Sequence, residues 1–64
     1  YIRRKGEKMF GDKLKKARKE LGWSQVKVAR MLGVTLNAYG LWERGANMPN
    51  EENMQKIKEL LFKE

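Results

Sequence analysis

The chain has 64 residues, and its fifteen Lys and Arg against eight Asp and Glu give a net charge of +7 at pH 7. It contains no cysteine and no histidine, which excludes a disulfide framework, a cysteine nucleophile and nearly every zinc site. No apolar run approaches the ~20 residues that span a bilayer. The composition predicts one small, soluble, cytoplasmic binding module with a polyanionic partner, and it argues against an enzyme.

The first predicted helix has an apolar stripe at helical spacing. The stripe comprises Phe10, Leu14, Ala17, Arg18 and Leu21. Gly22 follows it as a stop signal. The other faces carry four lysines, which either are solvated or contact phosphate groups: Lys13, Lys15, Lys16 and Lys19.

Two short helices are predicted next, separated by a Gly-Val-Thr turn. Ser24 is an N-cap candidate for a helix from Gln25 to Leu32. Its expected buried face consists of Val28, Ala29 and Leu32. Gly33 permits a left-handed backbone, and Thr35 can cap a third helix that runs from about Leu36 to Arg44.

The third helix has two unlike faces. Tyr39 and Trp42 are three residues apart and share one of them. Because so small a domain cannot leave both aromatic rings exposed, this face is predicted to lie in the core. The opposite face then points outwards, and it consists of Leu36, Asn37, Gly40, Leu41 and Arg44.

A fourth helix is predicted after Asn50, which can cap it, with an acidic first turn that suits the helix dipole. Its apolar stripe is Met54, Ile57, Leu60 and Leu61. Phe62 falls outside the stripe. It either belongs to a frayed end or contacts a missing fifth helix or a second subunit.

Three stretches of this sequence carry a family resemblance. They read Leu14-x-x-x-Arg18-x-x-x-Gly22-Trp23-Ser24-Gln25, Val28-Ala29-x-x-Leu32-Gly33-Val34-Thr35 and Tyr39-x-x-Trp42-Glu43-Arg44-Gly45. In this order and spacing the chain resembles the phage repressor/Cro-like (XRE-type) helix-turn-helix family over about residues 10–62. The resemblance implies an all-α fold, a compact lambda repressor-like bundle of about four short helices. The predicted DNA-binding domain covers residues 10–64, after an N-terminal arm or extension over residues 1–9.

The resemblance also implies a function and roles for individual residues. A protein of this type binds double-stranded DNA sequence-specifically as a transcriptional regulator, here expected to be a repressor, and it binds as a homodimer without a cofactor or metal. The third helix lies in the major groove. The base-reading positions are Leu36, Asn37, Gly40 and Leu41. The phosphate-contacting positions are Ser24, Gln25, Thr35, Arg44 and Asn47, although capping alone would explain Ser24 and Thr35. Arg18 and Glu43 are expected to form an internal ion pair.

Two alternatives remain open from the sequence. Residues 1–9 are a basic arm on DNA, a disordered tail or an ordered extension. The predicted reading face holds only one amide, Asn37, so Leu36 and Leu41, together with Val26, could instead form an apolar patch that binds a protein. The domain would then be an interaction module of the antirepressor or antitoxin type.

Overall fold

A computed structural model describes residues 5–63 of the chain. Within this range the structure consists of four α-helices and a π-helical segment, which confirms the predicted all-α fold. The helices are α1 (Lys5–Glu20), α2 (Gln25–Leu32), α3 (Leu36–Glu43) and α4 (Glu51–Ile57), and the π-helical segment is Lys58–Phe62. None of these described helices is both long enough and apolar enough to cross a membrane.

Helix α1 begins earlier than the apolar stripe predicted. The stripe starts at Phe10, but the helix starts at Lys5, so residues 5–9 of the predicted arm continue α1. Extending an existing helix by a further turn avoids the free-energy cost of nucleating a new one. The apolar stripe does not reach into residues 5–9, so it could not predict this extension. Residues 1–4, which complete the predicted arm, lie outside the described residues.

The predicted N-caps of α2, α3 and α4 all form. The Ser24 hydroxyl accepts from Lys27 N at 3.0 Å, and the Thr35 hydroxyl accepts from Ala38 N at 3.1 Å. The Asn50 side chain accepts from Asn53 N at 2.8 Å in the same way. Each cap satisfies an amide at the helix start that has no partner within the helix.

A left-handed glycine sets the turn between α2 and α3. Gly33 has a φ of 74°, a conformation that is cheap only for glycine. The Gly33 N–H donates to the Arg30 carbonyl, and the Val34 N–H donates to the Ala29 carbonyl. These two bonds end α2 and redirect the chain, so that only three residues separate α2 from α3.

The core lies between all of these elements. Its buried apolar side chains are Leu14, Val28, Ala29, Leu32, Tyr39, Trp42, Ile57 and Leu61. The rings of Tyr39 and Trp42 pack edge to face at 6.1 Å. Their burial confirms that the aromatic face of α3 points inwards, and α3 therefore presents its opposite face to solvent.

Helix α1 approaches the end of α3 very closely at Gly11. A Cβ atom placed on Gly11 would lie 2.6 Å from the Glu43 carbonyl oxygen and 2.7 Å from that of Trp42. Both distances are far inside van der Waals contact, and both oxygens belong to the backbone. Only glycine fits this position, and the contact brings Arg18 of α1 within reach of Glu43.

The C-terminal segment corrects the prediction for Phe62. Phe62 does not belong to a frayed end. Its ring packs edge to face against Phe10 of α1 at 6.1 Å between centroids, and Lys13 Nζ lies 4.4 Å from its centroid. The prediction from apolar spacing treated the whole segment as an α-helix, but Lys58–Phe62 is a π-helix. A π-helix has more residues per turn, so the side chain of Phe62 comes to lie on the side that faces α1.

Candidate nucleic-acid interface

An open depression lies where the start of α2 meets the outer face of α3. It has a volume of about 360 Å³. It is lined by Gln25, Leu36, Asn37, Gly40 and Arg44. Three of these residues were predicted to read bases and two to contact phosphate groups, so the fold gathers both predicted roles on one concave surface.

The four predicted base-reading residues on α3 differ in their exposure. The side chain of Leu36 is 47% exposed, and Asn37 is also exposed. A Cβ atom added to Gly40 would meet no atom of the protein within 4 Å, so another molecule can approach the backbone there. Leu41 is only half-exposed and does not line the depression.

The predicted phosphate-contacting residues cluster at helix ends. Arg44 follows the last residue of α3 and is exposed. The hydroxyl oxygens of Ser24 and Thr35 are occupied as caps, but a hydroxyl that accepts a hydrogen bond keeps its O–H donor. Asn47 is exposed in the loop after α3, where its Oδ1 accepts from Met48 N at 3.0 Å.

A buried ion pair between Arg18 and Glu43 is hydrogen-bonded to Gln25, one of the residues that line the depression. Arg18 Nε donates to Glu43 Oε2 at 2.6 Å, and Arg18 Nη2 donates to Glu43 Oε1 at 3.3 Å. The guanidinium thus donates hydrogen bonds to both carboxylate oxygens, as the fork geometry of arginine allows. Arg18 Nη1 also donates to the Trp23 carbonyl at 2.8 Å. The pair joins α1, the α1–α2 connection and α3.

The ionisation of this pair follows from its surroundings. Burial works to raise the pKa of the Glu43 carboxyl, but hydrogen bonds, the strongest of them from Arg18, outweigh burial and hold the pKa below its ordinary value. The hydrogen bond to Glu43 raises the pKa of Arg18 in turn. Burial also raises the pKa of the nearby Tyr39 hydroxyl well above its usual range. Glu43 and Arg18 are therefore both charged at neutral pH, and Tyr39 is neutral.

Glu43 has a further hydrogen-bond partner, which no sequence pattern indicated. Gln25 Nε2 donates to Glu43 Oε1 at 3.0 Å. The resemblance had assigned the Gln25 side chain to phosphate contact without any intramolecular partner. The two residues are distant in the chain, so no local pattern could have joined them.

Comparison with known proteins gives the family. A family model described as helix-turn-helix matches residues 14–64, which is most of the chain and includes α2, α3 and α4. The chain belongs to the XRE-type helix-turn-helix family. This confirms the resemblance that the three sequence stretches carried. The α2-turn-α3 unit is the helix-turn-helix, and the depression lies on the outer side of its second helix.

The helix-turn-helix domain is also similar in sequence to a bacterial protein of the same type. It is 40% identical over 53 residues to an SPbeta prophage-derived uncharacterized HTH-type transcriptional regulator, YonR, of Bacillus subtilis strain 168. The match covers 83% of this chain and 49% of that protein. The chain thus spans about half the length of the relative that it matches.

Proposed function

We propose that this helix-turn-helix domain binds double-stranded DNA sequence-specifically and acts in the cytoplasm as a transcriptional regulator, with repression as its role. The observation that carries the proposal is the depression in which Asn37, Leu36 and Gly40 of α3 lie beside Gln25 and Arg44. The relative's name, an HTH-type transcriptional regulator, supports a role in regulating transcription. The net charge of +7 suits a polyanionic partner.

In this proposal the outer face of α3 enters the major groove. Asn37 presents an amide that can donate to and accept from adenine at once, and the exposed Leu36 side chain offers an apolar contact to a thymine methyl group. Gly40 lets the helix backbone come close to the base edges. Leu41 contributes only at the margin, because it is half-buried and does not line the depression.

The phosphate contacts then set the register of the helix on DNA. Arg44 supplies a charged fork at the end of α3, and Gln25 supplies an amide at the start of α2, where the helix dipole also favours an anion. Ser24 and Thr35 add hydroxyl donors at the starts of α2 and α3, and Asn47 adds an amide donor in the loop after α3. Contacts of this kind orient the protein without reading the sequence.

A single domain of this size reads few base pairs, so we propose that two copies bind together as a homodimer. Their half-sites would be separated by about one helical turn, ~34–36 Å. No cofactor, metal or small-molecule ligand has a part in this proposal. The interaction-module alternative is less well supported, since the family and the relative's name both favour regulation of transcription.

The test is a titration of the 64-residue chain against a mixed-sequence duplex at low and at moderate salt. DNA binding predicts that affinity falls steeply as salt rises, because bound cations are released from the phosphates. Selection of bound duplexes from a random pool then gives the site, and a palindromic site supports the homodimer. Absence of binding at low salt would overturn the proposal in favour of a protein-binding module.

A further inference from the structure

We infer that Glu43 is a positioning residue for DNA binding. Its buried carboxylate holds the Gln25 carboxamide at the edge of the depression, so that the amide is oriented towards a DNA phosphate before DNA arrives. The inference rests on the proposed DNA-binding function. It gives the Arg18–Glu43 ion pair a role in affinity that is separate from its role in stability.

The Glu43 carboxylate is held in one orientation. The Glu43 side chain is only 3% exposed, and the Arg18 guanidinium holds both of its oxygens. Gln25 Nε2 donates to one of these oxygens at 3.0 Å. Because the acceptor is fixed on two sides, the bond that it accepts also fixes the side chain of Gln25.

The chemistry of the acceptor decides which way the amide faces. A carboxylate can only accept hydrogen bonds, so the NH₂ group of Gln25 must face Glu43, and the reverse orientation would set a carbonyl oxygen against a negative charge. One N–H is used by Glu43. The second N–H has no partner within residues 5–63, and Gln25 lines the depression beside Leu36 and Asn37. A phosphate oxygen at this rim is an acceptor for that N–H.

Positioning matters because glutamine is a flexible side chain. Ordering it at the moment of binding would cost conformational entropy, and a side chain that is already held avoids most of that cost. The fixed amide therefore binds phosphate more tightly than a mobile one would, although the number of contacts with DNA is the same.

The ion pair also prevents electrostatic repulsion between Glu43 and the DNA phosphates. A lone carboxylate this close to the phosphate backbone would repel it. Arg18 neutralises Glu43 within the core, so the pair can orient Gln25 without placing a net negative charge behind the interface. The third bond of Arg18, to the Trp23 carbonyl, holds the chain just before Ser24 and α2. The start of α2 and its first side chain are thus positioned by the same guanidinium.

The test is a double-mutant cycle on affinity for a mixed-sequence duplex at low salt. The two backgrounds are the native pair and an apolar-pair variant, Arg18→Met with Glu43→Leu, since replacing a buried ion pair by apolar side chains often preserves the fold. We expect Gln25→Ala to weaken binding about tenfold in the native background, as loss of a hydrogen bond to a charged group does. In the apolar-pair background the same substitution is expected to weaken binding at most about twofold.

Arg44→Ala is the matched control. Arg44 lines the same depression, and the structure shows it in no hydrogen bond with the ion pair within residues 5–63. Its loss is expected to weaken binding by the same factor in both backgrounds. Equal factors for Gln25→Ala in both backgrounds would overturn the inference, since a purely structural ion pair would not change the effect of one interface residue selectively.

A second variant keeps the test decisive if the apolar pair does not fold. Glu43→Asp keeps a charged partner for Arg18 but withdraws the carboxylate by one methylene, so that it cannot reach both neighbours. The effect of Gln25→Ala on affinity is then measured in the Glu43→Asp background, where it is again expected to be smaller than in the native background. A native chain that binds no duplex at low salt would overturn the proposed function together with this inference. A native chain that binds but shows no coupling would overturn the inference alone.

Discussion

Asn37 and Arg44 lie on the same depression but are expected to act on binding in different ways. Asn37→Ala should weaken binding to the selected site by about 1–3 kcal/mol and relax the preference at one base pair. Arg44→Ala should weaken binding to all sequences and reduce the salt slope by about one unit. Titrations against the selected site and a scrambled duplex measure both effects, and identical behaviour of the two variants would refute the assigned roles.

The Arg18–Glu43 pair predicts a specific pH dependence of stability. The pKa of Glu43 is lowered in the folded chain by its hydrogen bonds, against the opposing effect of burial. The folded state therefore binds fewer protons than the unfolded state in this range, and the pair's contribution is complete above the ordinary pKa of glutamate, roughly 4.3. As the pH falls through the lower folded pKa, the contribution is lost.

Urea unfolding from pH 7 to pH 3 measures this dependence, with Glu43→Gln as the comparison. The native chain should lose stability as the pH falls, and the variant should lose less, because it has no carboxyl group at this position. The two curves are expected to converge in acid. Parallel curves across the range would show that Glu43 does not contribute through its charge.

At the scale of the elements, two helical glycines are expected to respond to alanine in opposite directions. Alanine is favoured over glycine in a helix by about 1 kcal/mol. At Gly40 nothing within 4 Å opposes the added methyl group, so Gly40→Ala should stabilise the free domain. The same methyl group should weaken DNA binding, because it occupies the space between α3 and the base edges.

Gly11→Ala should destabilise the domain despite the better helix propensity of alanine. The added Cβ would lie 2.6 Å from the Glu43 carbonyl oxygen, so α1 and α3 would have to move apart at a cost of about 1–3 kcal/mol. Thermal unfolding of the two alanine variants checks the contrast. A stabilised Gly11→Ala variant would contradict the close approach of α1 to the end of α3.

At the scale of the whole molecule, the contact between Phe10 and Phe62 holds the π-helical segment against α1. Because Phe62 is only half-buried, Phe62→Ala should cost roughly 1–3 kcal/mol, below the range for fully buried phenylalanine. The edge-to-face pair itself should account for about 0.5–1.5 kcal/mol. Unfolding of the two single variants and the double variant, Phe10→Ala and Phe62→Ala, measures this coupling, and strict additivity would mean that the rings do not interact.

The order of the helices, their caps and the core could all be read from local patterns. Ser24, Thr35 and Asn50 mark helix starts because their side chains satisfy nearby backbone amides, and Gly33 marks a helix end because of its own backbone freedom. The spacing of Tyr39 and Trp42 placed the aromatic face of α3 inwards. These signals act over a few residues, so the sequence alone determined them, and the outward face of α3 followed.

Contacts between distant parts of the chain were decided only by the tertiary structure. Three such contacts depend on which helix faces meet and how closely: Gly11 with α3, Gln25 with Glu43, and Phe62 with Phe10. Residue spacing within one helix carries no information about the distance to another. The sequence was thus sufficient to predict the residues of the candidate interface. Only the packing of the helices shows that a buried ion pair holds Gln25 at the depression.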